Sequence, residues 1–394
     1  MNVRFDSELE SIHQNNLFHY FSNQLIISDT CRKLGILTSP GRGNTCTSTF
    51  LYELGVTRVN PLKYNLPFER YLKSNYKCID IDIPIDKKNI LIDGIIKALP
   101  NDKVLYEVLY HSRHPYANKL ISIEFNAIIY DVHPTAIIIL EKGHKLNLPE
   151  VTVDGRNYII IEDYDEFYKL NKYRHNLVPN TFLTQLETLV SKTGVDIDKI
   201  DVENDEVLEL FRKGDTGGVF QFESPTIREV LKVAPIDNFI DLVNINTLHR
   251  QETFPLLKMY TSNKRIGYNI YFMGDPRINA ILSETFGVLI YGETLIEILT
   301  SCGFEVDESY DYENVLYRDN EDHIEVFKVK FFEKCSRNTS LPNTEIDILF
   351  EFIIKWGKFM RAKGHMISYT IVSFWFAYFK TYYRNYFNSD FHIC

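Results

Sequence analysis

The stretch Ile79-Asp80-Ile81-Asp82-Ile83 alternates apolar and acidic residues over five positions. This period of two predicts a strand with one buried face, and it places Asp80 and Asp82 side by side on the other face. Two neighbouring carboxylates repel each other and favour a cation between them, for which an oxygen-preferring ion such as Mg²⁺ is suited. Taken alone, the pattern is more typical of a solvent-exposed acidic strand edge, so its interpretation depends on the rest of the chain.

The composition indicates a globular protein of two or three domains. The chain has 394 residues, of which 45% are hydrophobic and 24% are charged. Its net charge of −10 argues against non-specific coating of nucleic acid, although local basic strips would still bind it. The six cysteines include no C-x-x-C pair, which argues against a zinc site. Without a signal peptide or a membrane-spanning segment in the sequence, we expect a cytoplasmic protein and no membrane partner.

A glycine-rich turn precedes the acidic strand. Ile36-Leu37-Thr38 is predicted as a short strand, and Ser39-Pro40-Gly41-Arg42-Gly43-Asn44 follows it before a helix predicted at 47–54. A turn of this kind can present backbone N–H groups to an anion, and Arg42 can add a two-pronged phosphate contact. The same residues also make an ordinary turn, so both interpretations stay open from this segment alone.

Several motifs in order resemble the alpha subunit of bacterial DNA polymerase III, the C family of replicative polymerases. The palm motifs are Pro40-Gly41-Arg42-Gly43, Asn60-Pro61-Leu62-Lys63-Tyr64-Asn65-Leu66-Pro67-Phe68-Glu69-Arg70-Tyr71-Leu72 and the acidic strand. The most specific match is Gly214-Asp215-Thr216-Gly217-Gly218-Val219-Phe220-Gln221-Phe222-Glu223-Ser224. Further similar segments lie at 133–139, 162–177, 239–250, 281–291 and 362–387. The resemblance therefore covers nearly the whole chain.

The resemblance implies an α+β fold. It consists of a polymerase palm, which is a nucleotidyltransferase-like mixed sheet with helices, followed by a mostly helical fingers domain. We expect the palm at 1–86 and 132–180, a reduced thumb-like insertion at 87–131, and the fingers at 181–394. An aromatic helix at 367–387 is interpreted as a core helix rather than as a surface for stacking bases.

In this family three palm aspartates hold two Mg²⁺ ions, for which Mn²⁺ substitutes, and the ions support in-line nucleotidyl transfer. The first two aspartates fall on Asp80 and Asp82, and counting without gaps places Asn176 at the third. Asn176 can offer its carbonyl oxygen to Mg²⁺ but adds no negative charge. Asp163 and Asp165 are alternative sources of a third carboxylate.

The resemblance also assigns contacts with the nucleotide. The turn residues would cradle the triphosphate of a (d)NTP, with Asn44 in place of the family's serine; they are Gly41, Arg42, Gly43 and Asn44. Arg174 falls where the family has a lysine beside the third aspartate. Arg250, Lys363 and His365 fall at matching positions of the fingers and are expected to face phosphates.

Other segments depart from the family. The basic run of the fingers becomes 315–322, in which acidic residues replace most of the basic ones, and the R-P-G-P turn becomes Arg250-Gln251-Glu252-Thr253. The similarity also begins at the first palm helix and ends after the last finger helix. We therefore expect an accessory protein to supply further domains, and we do not expect processive replication by this chain alone.

Two functions follow from these residues. The first is a polymerase-type nucleotidyltransferase that adds a nucleotide to a nucleic-acid 3′ end, on a DNA primer–template or a single strand. The second is a catalytically degenerate relative that binds nucleotide, DNA or a partner subunit without chemistry. Asp80, Asp82 and the glycine-rich turn favour the first function, whereas Asn176 and the shortened insertion favour the second.

Overall fold

The structure is a computed structural model that describes residues 3–73, 79–110, 122–125, 128–161, 173–267, 274–318 and 321–387. The chain divides into two compact units, Met1–Ser191 and Lys192–Cys394. Within the ranges just given, no helix combines the length and the apolar character that crossing a membrane requires.

The first unit is built on a mixed sheet, which has seven strands within the described ranges. Their order is β1-β7-β4-β2-β6-β5, and β3 pairs with β4. The strands are β1 Ile79–Pro84, β2 Lys103–Tyr110, β3 Ser122–Phe125, β4 Ile128–Leu140, β5 Glu150–Val153, β6 Arg156–Ile161 and β7 Arg174–Asn180. The helices are α1 Val3–Gln14, α2 Phe18–Lys33, α3 Thr49–Glu53, α4 Glu69–Lys73, α5 Lys88–Ala98 and α6 Thr181–Thr193.

The alternation of side chains gives the two faces of the sheet different roles. One face carries Ile81, Ile83 and Leu177, which are buried in a core that α2 and α5 complete. Asp80 and Asp82 therefore project from the opposite face, where β2, β4 and β6 supply a second, smaller apolar cluster. The apolar residues of β1 anchor the strand, so that its two carboxylates are held in a defined direction.

Part of the segment expected as a thumb-like insertion belongs to the central sheet. Helix α5 and strand β2 both lie between residues 87 and 131, and β2 pairs with β4 on one side and β6 on the other. Tyr106 and Val108 of β2 are buried in the main core. Strands β2 and β3 and the first residues of β4 therefore all lie within 87–131 and belong to the sheet, and the thumb-like assignment of this segment stays a prediction.

The second unit is helical. Its helices within the described ranges are α7 Asp205–Arg212, α8 Pro225–Val233, α9 Phe239–Leu248, α10 Phe254–Ile266, α11 Pro276–Ser283, α12 Gly292–Ser301, α13 Val306–Arg318, α14 Glu321–Asn338, α15 Asn343–Gly357 and α16 Lys363–Tyr382. The aromatic helix predicted near the end of the chain is α16, and its Phe374, Phe376 and Phe379 are fully buried. The interpretation of this helix as a core helix is therefore confirmed.

A buried polar network links α9, α10 and the start of α12. The Tyr260 hydroxyl donates to Asp241 Oδ1 at 2.7 Å, and Asn244 Nδ2 donates to the Tyr260 oxygen at 3.1 Å. The Tyr291 hydroxyl in turn donates to Asn244 Oδ1. Because a buried polar group is costly without a partner, this network holds the three helices in one arrangement.

His175 on β7 makes the stability of the first unit dependent on pH. Its ring is buried and stacks on Tyr20, with the ring centroids 4.5 Å apart. Its Nδ1 donates to Gln24 Oε1 at 3.1 Å. Burial, together with the charge of nearby His19, lowers the pKa of His175 to about 3.

We predict that the first unit loses stability in mild acid because of His175. The unfolded chain protonates this histidine below about pH 6.5, whereas the folded chain does not until near pH 3, so its contribution is lost as the pH falls. The free energy of unfolding should therefore fall by about 2 kcal/mol between pH 7 and pH 5 through this histidine. Urea unfolding of His175→Gln should show a pH dependence smaller by this amount, and His13→Gln, at an exposed histidine of α1, is the control. Equal pH dependence in His175→Gln and the unaltered chain would contradict the prediction.

Candidate active site at the edge of the sheet

The parallel pairing of β1 with β7 brings Asp80, Asp82 and Asn176 together. The register places Asp80 opposite Asn176 and Asp82 opposite Val178. Asn176 Nδ2 donates to Asp80 Oδ1 at 2.8 Å, and the Thr135 hydroxyl donates to Asn176 Oδ1 at 3.4 Å. The residue found by counting from the family's third aspartate therefore lies directly beside the carboxylate pair.

The guanidinium group of Arg42 lies between the two carboxylates. Its Nη1 is 2.8 Å from Asp82 Oδ1, and its Nε is 3.4 Å from Asp80 Oδ2. The Asp82 side chain is fully buried, whereas Arg42 remains about one-third exposed. The cation that the acidic pair needs is thus supplied by a side chain of the glycine-rich turn.

Neutral side chains complete the contacts of Asp82. The Ser39 hydroxyl donates to Asp82 Oδ2 at 2.9 Å, and Asn180 Nδ2 donates to Asp82 Oδ1. Sequence reasoning missed Ser39 and Asn180, because neither carries a charge. Asn180 follows Asn176 by four positions on one strand and therefore shares its face, which is the signal that could have identified it.

Burial raises the pKa of both aspartates above the ordinary value. For Asp80 the hydrogen bond from Asn176 and the charge of Arg42 oppose this effect, and for Asp82 the charge of Arg42 and the hydrogen bond from Ser39 do so. A metal ion binds the ionised carboxylates in competition with protons. A metal ion bound to this pair would therefore be lost, on acidification, at a higher pH than one bound to an exposed pair of aspartates.

The glycine-rich turn is held in place by side chains that follow it. The Thr57 hydroxyl donates to the Pro40 carbonyl at 2.7 Å, and Arg58 Nη1 donates to the Thr38 hydroxyl at 3.0 Å. Arg58 also contacts the carbonyls of Thr38 and Ser39. Arg58 thus occupies backbone carbonyls that a strand would pair with a neighbouring strand. The segment 36–38, which was predicted as a strand, is irregular.

Gly41 in this turn has no room for a side chain. A Cβ atom there would lie 2.6 Å from Thr57 Oγ1 and 2.8 Å from Cys46 Sγ. Two residues later, the chain enters a short 3₁₀ helix, Gly43–Thr47, in which the Thr47 hydroxyl donates to the Asn44 carbonyl. The turn is therefore fixed beside β1, and the roles of Gly41, Gly43 and Asn44 toward a triphosphate stay predictions.

Arg174, which the resemblance assigns to a phosphate contact, lies in a buried ion pair. Its side chain is fully buried, and its Nε lies 2.7 Å from Glu107 Oε2 on β2. Glu107 is itself fully buried, so each charge depends on the other for compensation. Arg174 thereby links β7 to β2 across the sheet, and its role toward phosphates stays a prediction.

Arg250 lies in the second unit and lines a polar pocket of about 260 Å³. Burial and the nearby charge of Arg361 lower the pKa of Arg250. Asn246 Oδ1 and Glu223 Oε2, which belong to residues of the same pocket, are buried without a hydrogen-bond partner among the described residues. This pocket is therefore polar and contains unused hydrogen-bonding groups, which suits a small polar ligand.

Lys363 and His365, also in the second unit, make contacts within that unit. Lys363 Nζ lies 2.7 and 2.9 Å from the two carboxylate oxygens of Glu284, so a phosphate at this position must compete with Glu284. The ring of His365 lies 4.3 Å from that of Tyr369, measured between centroids. Their roles toward phosphates stay predictions.

The donor set at the edge of the sheet suits one magnesium ion. Two carboxylates, completed by water and substrate phosphates, match the oxygen ligands that Mg²⁺ prefers, whereas Asn176 turns its amide nitrogen toward Asp80 and its oxygen toward Thr135. Within the described ranges, no cluster contains three or more of the histidine, cysteine, aspartate and glutamate side chains that hold metals. Asp163 and Asp165, considered as alternative carboxylates, lie outside those ranges.

A mixed sheet with a carboxylate pair at its edge, followed by a helical unit, is consistent with the palm and fingers of a polymerase-type protein. The family model described as "Bacterial DNA polymerase III alpha NTPase domain" matches residues 1–110, and the one described as "Bacterial DNA polymerase III alpha subunit finger domain" matches residues 180–339. The chain is a divergent member of the bacterial DNA polymerase III alpha subunit family.

Curated relatives agree with this family. "DNA polymerase III subunit alpha" of Mycoplasma pneumoniae is 24% identical over 451 residues, covering 98% of this chain and 51% of the relative. The protein of the same name from Staphylococcus aureus strain COL is 24% identical over 436 residues, covering 93% of this chain and 40% of the relative. The chain thus spans about half the length of the first relative and less of the second.

We predict that Arg42 competes with divalent metal for the carboxylate pair. Arg42→Ala should bind Mn²⁺ about ten-fold more tightly at pH 8 in the absence of nucleotide, because a positive charge between the two ligands is removed. Electron paramagnetic resonance of free Mn²⁺ measures this affinity, and Arg32→Ala, at an exposed arginine paired with Asp29, is the control. Unchanged or weaker Mn²⁺ binding by Arg42→Ala would show that Arg42 does not occupy the metal position.

Proposed function

We propose that this chain is a polymerase-type nucleotidyltransferase that adds a nucleotide from a (d)NTP to a nucleic-acid 3′ end. The observation that carries the proposal is the convergence of Asp80, Asp82 and Asn176 on adjoining strands beside the glycine-rich turn. A structural acidic edge has no need of a buried carboxylate contacted by Ser39, Arg42 and Asn180. Desolvating such a group is costly, so a site that holds it in place is more consistent with function than with surface decoration.

Each residue of the site has a distinct part in this proposal. Asp80 and Asp82 would hold one Mg²⁺ ion, which when bound supplies positive charge to the phosphates and to the attacking oxygen. Asn176 orients Asp80 through its amide, while Ser39 and Asn180 orient Asp82. A second ion would depend on the oxygens of the triphosphate, since the described residues provide two carboxylates here.

Arg42 would change partners when substrate binds. Without substrate its guanidinium neutralises the two carboxylates. A metal ion held by the two aspartates would repel the Arg42 guanidinium, for which the triphosphate would be a two-pronged partner of opposite charge. The glycine-rich turn would thus couple metal binding to nucleotide binding through one side chain.

The reaction joins the 3′-hydroxyl oxygen to the α-phosphorus and breaks the bond to the β-phosphate, so that pyrophosphate leaves. The hydroxyl also loses a proton. An amide is no base at neutral pH, so Asn176 cannot take this proton as a carboxylate would; with Asp80 and Asp82 occupied as metal ligands in this proposal, the proton would pass to solvent or to a phosphate oxygen. The proposal therefore includes slow, distributive incorporation on a primer–template or a single strand. An accessory protein would supply further contacts with the nucleic acid. The reaction would take place in the cytoplasm.

A second candidate function is binding without chemistry. It is favoured by Asn176, which lacks the charge of the third ligand, and by Arg42, which already satisfies the carboxylate pair. In this case the site would hold nucleotide, nucleic acid or a partner subunit as a degenerate polymerase core. The two candidates differ in whether a phosphodiester bond forms.

Incorporation of a labelled nucleotide separates these candidates. The chain is incubated with Mg²⁺ or Mn²⁺ and with primed DNA, a single strand or no nucleic acid. Product that depends on a nucleic-acid 3′ end, and that is lost in Asp80→Ala/Asp82→Ala, is the result we expect. No product under any condition, or equal product from that variant, would contradict the transferase proposal and favour binding without chemistry.

We predict that Asn176→Asp raises incorporation about ten-fold or more and also tightens Mn²⁺ binding, because it restores a charged ligand beside Asp80. The matched control is Asn157→Asp, which adds the same charge at an exposed position of β6, at the other side of the sheet. Steady-state incorporation and Mn²⁺ titration measure the two effects. A fall in both quantities would show that Asn176 does not occupy a ligand position.

A further inference from the structure

The polar pocket of about 260 Å³ in the second unit is lined by two opposite charges that do not pair. Glu223 lies just before α8, and Arg250 lies just after α9. Neither makes an ion pair, with the other or with a third residue, among the residues that the structure describes. Burial raises the pKa of Glu223 and lowers that of Arg250. Charged groups that burial penalises and that do not neutralise each other indicate a ligand that carries both charges.

Asn246 on α9 adds an acceptor whose orientation is fixed. The residue is 1% exposed, and its Nδ2 donates to Gln221 Oε1 at 2.7 Å and to Thr370 Oγ1 at 3.0 Å. The Thr370 hydroxyl gives its own hydrogen to the Met366 carbonyl, so it can only accept from Asn246. Asn246 Oδ1 is therefore the atom left over, and it is buried without a hydrogen-bond partner among the described residues. Such an oxygen is costly to leave unpaired and suits a donor from a bound molecule.

His249 supplies a further acceptor in the same pocket. Burial lowers its pKa, so the ring is neutral near pH 7. Its Nδ1 lies 2.8 Å from the Asn246 carbonyl oxygen and therefore carries the hydrogen, which leaves Nε2 as an acceptor. With Glu223, the pocket has an acceptor for each of the three hydrogens of an ammonium group.

The donors of the pocket suit a carboxylate. The guanidinium group of Arg250 matches the two oxygens of a carboxylate, and the nearby charge of Arg361 adds to the positive potential around it. Gln221 has a φ of 62°, a left-handed conformation that is uncommon for a residue with a side chain. Because its Oε1 accepts from Asn246, its Nε2 is the atom left to donate. A backbone held in an unfavourable conformation beside a pocket is typical of a binding site.

The volume of the pocket restricts the ligand to a small molecule. At roughly 30 Å³ for each water, the pocket has the space of about nine water molecules. It is smaller than the pockets of about 300–1,000 Å³ that hold drug-sized ligands. A nucleoside triphosphate, with a base, a sugar and three phosphates, is too large for it and carries no positive charge for Glu223.

We propose that this pocket binds a free α-amino acid as a zwitterion, with the carboxylate on Arg250 and the ammonium group on Glu223, Asn246 and His249. Met366 is the apolar residue of the lining and would contact the side chain of the ligand. The ligand would join the segment before α8 to the end of α9 and so stabilise the second unit. This inference goes beyond the proposed function, because the pocket lies within the second unit and binding requires no nucleotide transfer. It gives Arg250 a carboxylate partner in place of the phosphate that the resemblance implies.

Isothermal titration calorimetry of the full chain with L-serine, L-leucine and L-glutamine tests the proposal. We expect at least one of them to bind with a Kd below about 1 mM and to raise the midpoint of thermal unfolding. Two blocked forms of that amino acid then test its charges separately, since the amide lacks the carboxylate and the N-acetyl form lacks the ammonium group. Each blocked form should bind at least about ten-fold more weakly, because one charged group of the pocket is left without its partner.

Variants of the two charged residues should each remove one of these preferences. Arg250→Gln should bind the amino acid and its amide about equally and still reject the N-acetyl form, whereas Glu223→Gln should show the reverse pattern. A general loss of structure would not separate the two preferences in this way. The matched control is Arg337→Gln/Glu333→Gln, which neutralises an exposed ion pair of α14 in the same unit and should leave both preferences unchanged.

Three results would overturn the proposal. The first is that none of the three amino acids binds with a Kd below about 1 mM. The second is that a blocked form binds as tightly as the free amino acid, or that the control changes the preferences as the pocket variants do. The third comes from the same titration with inorganic phosphate. Phosphate binding that depends on Arg250 and not on Glu223, without binding of any amino acid, would leave Arg250 as a phosphate contact.

Discussion

Two carboxylates that share one face of a strand, Asp80 and Asp82, are the constraint on which the first unit's site depends. Burial opposes the ionisation of both carboxylates, and for Asp80 the charge of Asp82 adds to this effect; the surrounding residues compensate for it. Arg42 supplies charge, and Ser39, Asn176 and Asn180 supply hydrogen bonds. The glycine-rich turn and the end of β7 are therefore tied to β1 by the same pair of side chains.

The sequence predicted those parts of the site that depend on local pattern. Alternation within 79–83 was enough to place Asp80 and Asp82 on one face, and counting along the family's motif was enough to place Asn176 beside them. The partner of Arg174 could not be found in this way, because Glu107 lies 67 residues away in a segment expected to form a different subdomain. The pair of Lys363 with Glu284, 79 residues apart, was hidden for the same reason.

The same distinction applies to the fold. The sheet and the helical unit could be predicted from motifs that each lie within a short stretch of sequence. The membership of β2 in the sheet could not, because it depends on pairing with β4 and β6. Strand pairing is set by contacts between distant residues, and the apolar alternation of Val104, Tyr106 and Val108 is compatible with several neighbours. The segment Ile36-Leu37-Thr38 was predicted as a strand from its local pattern and is irregular in the structure. The Arg58 side chain donates to the carbonyls of Thr38 and Ser39, which a strand would pair with a neighbouring strand.

A crystal structure of the chain with Mn²⁺ and a non-hydrolysable deoxynucleoside triphosphate tests the central claim most directly, namely that Asp80 and Asp82 form a metal site which Arg42 closes in the absence of substrate. The account predicts an anomalous Mn²⁺ peak about 2.1 Å from oxygens of both aspartates, with the Arg42 guanidinium moved onto the triphosphate. Arg42 remaining between the two carboxylates, with no Mn²⁺ bound to either, would contradict it.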